Sequence, residues 1–170
     1  MKVIKAALVT GGATGIGKAC ALSFLEGGYA VAIVGRRKEK IEETEKELAD
    51  IFGNEKVLAI AADVSSREDV EKIFASIDEK YGRIDVVINN AGVAPSHPFL
   101  ETSYEEYDKA IKINQYGTFM CMQKGAKMMV EKGISGVIIN MGSIYGKSKV
   151  IIIGIIAKAA AAGAGTPTKK

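Results

Sequence analysis

A glycine-rich turn near the start of the chain has the residues that a phosphate-binding loop needs. Gly11, Gly15 and Gly17 lie between an apolar run, residues 3–9, and a helix-like stretch that begins at Lys18. The first backbone N–H groups of a helix lack intrahelical partners, and the helix dipole makes that end positive. Because glycine has no side chain, it lets a phosphate approach these N–H groups closely. The sequence therefore predicts that this turn binds the phosphates of a nucleotide.

Further residues that could contact a ligand each follow a later apolar run of the chain. In chain order they are Arg36 and Arg37, Asp63 and Val64, Asn90 with Ala91 and Gly92, and Ser143. If the apolar runs are parallel strands, their carboxyl ends share one edge of a sheet. Ligands of doubly wound sheets bind beyond that edge. The spacing therefore predicts one shared site rather than several separate ones.

Strand-like and helix-like segments alternate along the chain, as that site requires. Strands are predicted over residues 3–10, 29–35, 57–62, 84–89 and 134–141, and helices over 18–26, 38–52, 66–81 and 104–132. Ser65 or Ser66 is a plausible N-cap for the third helix. Strands that are apolar on both faces indicate a parallel sheet covered on both sides. The predicted fold is a three-layer α/β structure built on a doubly wound parallel Rossmann sheet.

Composition excludes several other classes of function. The chain has 170 residues, enough for one domain with a substantial core, and a net charge of +3. That charge is too small to indicate nucleic-acid binding, because the Lys and Arg residues are balanced by Glu along helix-like segments. The apolar run at residues 150–157 is far shorter than the ~20 residues that span a bilayer, so no membrane association is expected. No cluster of residues with metal-ligand spacing is visible.

The two cysteines predict the cellular compartment. Cys20 and Cys121 lie in apolar, helix-like contexts, and their spacing suggests neither a disulfide nor a metal site. We expect both to be buried thiols. Together with the lack of a signal peptide, they favour a reducing, cytoplasmic location.

Composition changes sharply near residue 149. Residues 1–149 have the pattern of a dinucleotide-binding Rossmann domain, whereas residues 150–170 form a low-complexity tail rich in Ile, Ala and Gly. This tail has almost no polar side chains and fits neither a loop nor an amphipathic helix. We expect the C-terminal portion of the fold to be truncated or not represented by this sequence.

The motifs together resemble those of the short-chain dehydrogenase/reductase family. They are Thr-Gly-x-x-x-Gly-Ile-Gly at residues 10–17, Asp63-Val64, Asn-Asn-Ala-Gly at residues 89–92, Asn114 and Gly142-Ser143. The resemblance covers residues 1 to about 145. It implies a Rossmann fold and an NAD(P)-dependent oxidoreductase that acts on an alcohol or ketone, with a homodimer or homotetramer as the intact protein.

The resemblance also assigns roles at the cofactor. It implies that five residues of the turn hold the pyrophosphate: Gly11, Thr14, Gly15, Ile16 and Gly17. It places Asp63 and Val64 beside the adenine, and Asn90, Ala91 and Gly92 along the cofactor and the central sheet. Taken singly, Asp63 is equally well explained as a turn residue and Asn90 as a loop cap. Only their joint placement favours cofactor binding.

The charge after the second strand favours NADP over NAD. An acidic residue there would bind the ribose 2′-hydroxyl and repel a 2′-phosphate. This chain has Arg36 and Arg37 instead, and a guanidinium binds phosphate through a forked pair of hydrogen bonds. Two observations weigh against this prediction. The arginines could simply begin an exposed helix, and Thr14 stands where some NADP-preferring relatives have a basic residue.

The catalytic residues are only partly recognisable. By resemblance, Ser143 positions the substrate carbonyl and Asn114 helps to hold a proton-relay water. The family's Tyr and Lys, which supply acid/base chemistry, correspond by spacing to Ile156 and Ala160. Tyr145 and Lys149 have the Tyr-x-x-x-Lys spacing, but we interpret them as a coincidental match because they follow Ser143 too closely.

Three hypotheses remain at this point. The chain could be an NADP(H)-dependent reductase whose C-terminal region is not represented. It could be a dinucleotide-binding module without turnover, since the acid/base pair is missing. It could also be a fragment that does not fold stably, because its apolar tail favours aggregation.

Overall fold

The computed structural model describes residues 4–94 and 97–142. Its strands are β1 (Ala6–Thr10), β2 (Ala30–Gly35), β3 (Val57–Ala61), β4 (Val86–Asn89) and β5 (Val137–Asn140). Its α-helices are α1 (Gly15–Glu26), α2 (Lys38–Phe52), α3 (Arg67–Tyr81), α4 (Tyr104–Ile111) and α5 (Thr118–Glu131). A short 3₁₀ helix, Phe99–Glu101, precedes α4, and a π-helical segment, Lys112–Gly117, joins α4 to α5.

The strands form one parallel sheet in the order β3-β2-β1-β4-β5. The chain runs outward from β1 to β3, then crosses back to place β4 on the other side of β1. The direction of the strand order thus reverses between β1 and β4. Such a reversal opens a crevice at the carboxyl ends of the two strands. The predicted doubly wound Rossmann-like sheet is confirmed.

Helices cover both faces of the sheet, because the strands alternate apolar side chains between two cores. On one face, Leu8 and Val87 pack with Ile73 and Phe74 of α3 and with Cys121 of α5. The other core forms beneath α1 and α2; its fully or nearly fully buried members include Val9, Leu25, Ile33, Ile41 and Leu48. The three-layer arrangement fixes the sheet edge at which the loops after the strands meet.

Serine side chains cap the N-termini of α3 and α4. Ser66 caps α3, since its hydroxyl accepts from the Asp69 N–H at 3.2 Å, as predicted. At α4, Ser103 and Glu106 form a reciprocal capping box. These bonds satisfy N–H groups that no helical carbonyl reaches.

A buried carboxylate ties the start of β4 to β1. Asp85 is only 6% exposed, and its Oδ2 accepts from the Ala6 N–H at 2.8 Å. Arg83 binds both oxygens of the same carboxylate, at 2.8 and 2.6 Å. Burial alone would raise the pKa of Asp85, but the bonds from Arg83 and Ala6 outweigh it and hold the pKa below its ordinary value. The loop before β4 is therefore fixed to the central strand.

The sequence predicts one continuous helix over residues 104–132, and its continuity is wrong. The structure has two α-helices, α4 and α5, joined by the π-helical segment. Two tertiary contacts hold this segment. A side-chain carbon at Gly117 would lie 2.9 Å from Val64 Cγ2, so the backbone packs directly against the loop after β3. The side chain of Asn114 is bonded to the loop after β4. Such insertions are typical of functional sites.

Some further expectations differ from the structure. The first, fourth and fifth strands begin two or three residues later than predicted, which is the usual uncertainty at strand ends. The predicted burial of the fifth strand is wrong, since Val137 is 55% exposed. Within the described residues β5 pairs only with β4, so one of its edges has no partner strand. Cys121 is buried as expected, whereas Cys20 is only partly buried.

Helical spacing of the aromatic residues between positions 104 and 119 predicts that they lie in the core or at an interface, but four of them are exposed. They are Tyr104, Tyr107, Tyr116 and Phe119, each more than half exposed. Their helical spacing is therefore not a core pattern, and a core position is wrong for all four. An interface position remains a prediction.

Candidate dinucleotide-binding site

The loops after β1, β2, β3 and β4 surround one cavity at the carboxyl edge of the sheet. Its volume is about 240 Å³. The polar and glycine residues that line it come from all four loops: Gly11, Thr14, Gly35, Arg36, Arg37, Asp63 and Gly92. The cavity therefore lies at the reversal of strand order, where a doubly wound sheet binds its ligand.

Two glycines of the turn after β1 have different roles. Gly17 allows a close contact within the chain, whereas Gly15 adopts a positive φ beside open space. A side chain at Gly17 would collide with the carbonyl oxygen of Gly11. Gly15 has a φ of +53°, which is unfavourable for other residues, and no atom lies within 4 Å of where its side chain would be. The turn is thus packed tightly against its own chain but leaves the start of α1 accessible.

The start of α1 lacks the caps found at α3 and α4. Thr14 is its N-cap residue, yet the Thr14 side chain makes no capping bond, and no acidic residue lies in the first turn. By contrast, Ser66 and Ser103 cap α3 and α4, and both of those helices have acidic residues in the first turn. The N–H groups at this helix start have no side-chain partner and are suited to an anionic ligand.

Thr10 and Asn90 join the ends of β1 and β4 directly below the turn. The Thr10 hydroxyl accepts from the N–H groups of Asn90 and Ala91, both at 3.0 Å. The Asn90 side chain donates back to the Thr10 carbonyl at 3.0 Å. Asn90 therefore links two of the four loops that surround the cavity, those after β1 and β4.

Asn114, in the π-helical segment, binds the backbone of the loop after β4. Its Oδ1 accepts from the Val93 N–H at 2.9 Å, and its Nδ2 donates to the Val93 carbonyl at 2.8 Å. An amide side chain can make four hydrogen bonds, so Asn114 keeps one donor and one acceptor for another group. Gly92 packs close by, since a side chain there would lie 3.3 Å from Asn114 Oδ1.

Two arginines supply positive charge at one end of the cavity. Arg36 and Arg37 both line it and are exposed, and neither guanidinium group is bonded to any described residue. Arg37 is also the N-cap residue of α2. The prediction that these residues begin a helix and the prediction that they bind an anion are therefore compatible.

Asp63 is oriented by its neighbours on the loop after β3. Its Oδ1 accepts from the Ser65 N–H at 2.9 Å and from the Ser65 hydroxyl at 2.7 Å. Its own N–H donates to Asp69 Oδ2 at 2.8 Å. Among the described residues no group bonds to Oδ2 of Asp63, so this oxygen is available to accept from a ligand.

The structure places the predicted site residues in three groups. Eight line the cavity: Gly11, Thr14, Arg36, Arg37, Asp63, Val64, Ala91 and Gly92. Four lie at its border, where they shape the turn or support it: Gly15, Ile16, Gly17 and Asn90. Asn114 lies behind the loop after β4. Ser143, and with it Tyr145, Lys149, Ile156 and Ala160, lies outside the described residues.

Several apolar residues of the cavity were missed by the sequence analysis. They are Ala13, Val34, Ala62, Val93 and Ile113. Nothing in a single sequence separates these from ordinary core residues. Thr10 is the first residue of the glycine motif, and the sequence gives no separate role to its hydroxyl. In the structure this hydroxyl accepts from the loop after β4. A buried Thr at a strand end, followed by a glycine turn, is the signal that could have identified it.

Two further findings concern the described part of the chain. It contains no group of three or more His, Cys, Asp or Glu residues that could hold a metal ion. It also contains no helix long and apolar enough to cross a membrane.

Fold and site together define a doubly wound, dinucleotide-binding type of domain. Comparison with known proteins is more specific, because residues 5–164 match the family described as short chain dehydrogenase. The chain belongs to this family. The match extends beyond the motif-bearing residues identified from the sequence.

Individual relatives show the same likeness. The chain is 35% identical over 146 residues to a 3alpha-hydroxysteroid dehydrogenase of Mediterraneibacter gnavus, covering 84% of this chain and 58% of that protein. A short chain dehydrogenase structure from Bacillus anthracis aligns with a TM-score of 0.79 and 40% identity, over 85% of this chain and 57% of the other. An alcohol dehydrogenase from Thermococcus sibiricus, complexed with 5-hydroxy-NADP, aligns with a TM-score of 0.73 and 31% identity, over 81% and 57%. The chain thus spans a little more than half the length of these relatives.

Proposed function

We propose that this chain provides the cofactor-binding part of an oxidoreductase that transfers hydride between NADP(H) and an alcohol or ketone. The observation that carries the proposal is the convergence of an uncapped helix start and two free arginines on one cavity. The dehydrogenases among the relatives support the type of reaction.

The pyrophosphate would lie at the start of α1. The N–H groups of the first turn face the open side of Gly15, and no acidic residue of that turn would repel the phosphates. Gly11 and Gly17 let the turn pack closely on its own chain, Thr14 leaves the helix start uncapped, and exposed Ile16 borders the same opening. A bulky residue at these positions would displace the phosphates from the donors.

The 2′-phosphate would bind Arg36 and Arg37. Both guanidinium groups line the cavity without a carboxylate partner among the described residues, so binding a phosphate costs no existing ion pair. The Thermococcus sibiricus relative was solved with an NADP derivative, which supports the same preference here. NAD is the less favoured cofactor, because no acidic residue follows β2 to bind a ribose hydroxyl.

The adenine would lie between the loop after β3 and the start of the π-helical segment. Oδ2 of Asp63 can accept from the adenine amino group, while Val64 and Ile113 provide apolar contact. Ala91 and Gly92 would line the cofactor farther along the cavity. The small side chains there leave room for the cofactor to pass along the sheet edge.

The bound nicotinamide would supply or accept the hydride at its ring. From the chain itself, we propose that Ser143 hydrogen-bonds the substrate oxygen. Asn114 would hold a proton-relay water with the donor and acceptor that Val93 leaves unused. By holding Val93, it also fixes the loop that would face the nicotinamide.

A second candidate is a dinucleotide-binding module without turnover. The observation that favours it is in the sequence, because Ile156 and Ala160 stand at the family's Tyr and Lys positions. Neither side chain can donate or accept a proton. This candidate predicts the same cofactor binding as the first but no chemistry.

Calorimetric titration of the purified full chain with NADPH and with NADH tests cofactor binding. We expect NADPH to bind more tightly by about tenfold or more, as one charge-assisted phosphate contact would give. Failure to bind either cofactor would contradict both candidates. NADPH oxidation with a panel of ketones then separates them, because turnover requires an acid/base group and its absence with intact binding favours the module.

We also propose that the protein forms a homodimer or homotetramer through α4 and α5. Tyr104 and Tyr107 on α4 are exposed, and Phe119 and Val130 lie exposed along α5. Large exposed apolar side chains are typical of an interface. Analytical ultracentrifugation should show an oligomer that Phe119→Glu with Val130→Glu converts to monomer, and a monomeric wild type would contradict the proposal.

The two cysteines support a cytoplasmic location. Cys20 and Cys121 are both free thiols in the structure. Free thiols persist in a reducing compartment. We therefore propose that the protein works in the cytoplasm, and cell fractionation that finds it elsewhere would contradict this.

A further inference from the structure

A second cavity opens beside the cofactor cavity and shares three residues with it. Its volume is about 320 Å³, and Arg36, Asp63 and Ile113 line both cavities. The other wall is formed by α4, which contributes Glu105, Asp108 and Lys109, and by the start of the π-helical segment, which contributes Lys112. These residues follow helical spacing, so they project toward the cavity from one side. The proposed 2′-phosphate site at Arg36 therefore shares a cavity with side chains of α4 and the π-helical segment.

The charges on this wall are ordered along the helix. Lys112 adjoins Ile113, the residue that reaches both cavities, and Lys109 lies about one turn behind it. Asp108 and Glu105 lie farther back, about 7 and 12 Å from Ile113 along the helix axis at ~1.5 Å per residue. The positive end of the wall is therefore the end nearest the cofactor.

Neither lysine is neutralised within its own helix. Lys112 follows Asp108, and Lys109 follows Glu105, at the spacing that favours ion pairs. The structure nevertheless contains no ion pair or hydrogen bond between the side-chain ammonium group of either lysine and a described residue. Other lysines of the described part do have carboxylate partners, such as Lys18 with Glu47 at 2.6 Å.

Asp63, the carboxylate that lines both cavities, is engaged through one of its oxygens. Oδ1 of Asp63 accepts two hydrogen bonds from Ser65, whereas no described residue bonds to Oδ2. Two cations, Arg36 from the loop after β2 and Lys112 from the π-helical segment, thus line the same cavity from different elements. An anion placed there would be contacted from both.

From this geometry we propose that Lys112 is a second determinant of cofactor specificity, which binds the 2′-phosphate together with Arg36, with Lys109 adding positive charge behind it. The proposal rests on the proposed binding of NADP(H). It adds a residue that no motif of the sequence identifies as part of the cofactor site.

The test compares two probes that differ only in the phosphate, namely 2′,5′-ADP and 5′-AMP. Lys112→Gln should weaken binding of 2′,5′-ADP by about tenfold, the effect of losing one charge-assisted contact, and leave 5′-AMP changed by less than about twofold. Lys112→Arg should restore the difference, because it keeps the charge. Lys46→Gln, which removes an exposed and unpaired charge from α2, should change neither.

Failures of the two proposals are distinguishable. If the wild type does not prefer 2′,5′-ADP at all, the proposed NADP(H) preference is wrong. If Arg36→Gln abolishes the preference but Lys112→Gln leaves it intact, the preference stands and the role of Lys112 is wrong. Equal weakening of both probes by Lys112→Gln would also overturn the role, since it would show a general effect on the site.

Discussion

The hydroxyl of Thr10 accepts hydrogen bonds from two successive N–H groups, those of Asn90 and Ala91, 80 and 81 residues along the chain. In return, the Asn90 side chain donates to the carbonyl of Thr10. This exchange joins the two strands between which the strand order reverses. Since the glycine-rich turn follows one strand and a loop of the cavity follows the other, their relative position depends on these two residues.

Replacing Thr10 with Val should damage both stability and the site. The change keeps the shape but leaves two backbone N–H groups without an acceptor, and Thr10 itself is only 2% exposed. We expect a loss of about 1–3 kcal/mol in the free energy of unfolding, measured by urea denaturation. Thr118→Val, at a hydroxyl without a described hydrogen bond, is the matched control. Equal stability of the two variants would contradict the role of Thr10.

Gly17→Ala should be far more costly than the same change at the other end of α1. Its new methyl group would collide with the Gly11 carbonyl oxygen, whereas at Gly27 nothing lies nearer than 3.4 Å. Overpacking of this kind costs about 1–3 kcal/mol, and here we expect it also to shift the glycine-rich turn. Thermal unfolding and NADPH titration should both show the effect for Gly17→Ala only. A Gly17→Ala variant with wild-type affinity would show that the close approach is unimportant.

Asn114→Ala should release the loop after β4. Without the side chain, the Val93 N–H loses its acceptor, so its hydrogen exchange should accelerate in the native protein. Asn114→Asp keeps that acceptor but loses the donor to the Val93 carbonyl, and should retain most of the protection. Gln115→Ala, at an exposed neighbour, is the control. If the hydrogen exchange of the Val93 N–H is unchanged in Asn114→Ala, the Asn114 side chain does not hold this loop.

Asp85 should make stability depend on pH in the acid range. Burial raises its pKa, but Arg83 and Ala6 lower it more strongly, so the folded-state pKa lies below the ordinary 3.8. A lowered pKa stabilises the fold above pH 3.8, and this contribution disappears as pH falls through the folded-state value. The melting temperature of Asp85→Asn should therefore be lower than that of the wild type at neutral pH.

The difference between Asp85→Asn and the wild type should then narrow as the pH is lowered below about 4. Asp50→Asn, at an exposed carboxylate with no described partner, should follow the wild type across the same range. A gap between Asp85→Asn and the wild type that does not change with pH would show that the carboxylate charge contributes nothing.

The sequence was sufficient for the features that depend on local pattern. Alternating apolar runs and amphipathic helices predicted the parallel sheet, and the spacing of the strand ends brought Arg36, Asp63 and Gly92 to one edge. The sequence predicts Ser65 or Ser66 as a cap because each hydroxyl precedes an amphipathic helix, and Ser66 is the cap in the structure. Each of these depends on neighbours in the chain.

Features that depend on contacts between distant segments were not predictable. The helix over residues 104–132 has a continuous pattern, and only its contacts with Val64 and Val93 create the π-helical segment. The exposed aromatic residues of α4 and α5 have core-like spacing, since periodicity shows which residues share a face but not what covers that face. Lys112 has no local signal at all, because its position in the same cavity as Arg36 arises from the fold.

The most direct test of the account is a backbone amide NMR titration of the 18.0 kDa chain with NADPH. The account predicts large shifts for the N–H groups of Gly15, Ile16 and Gly17, with further shifts at Arg36, Val64 and Ala91. Shifts confined to α5, or no shifts at saturating NADPH, would contradict the claim that this glycine turn holds a nicotinamide dinucleotide.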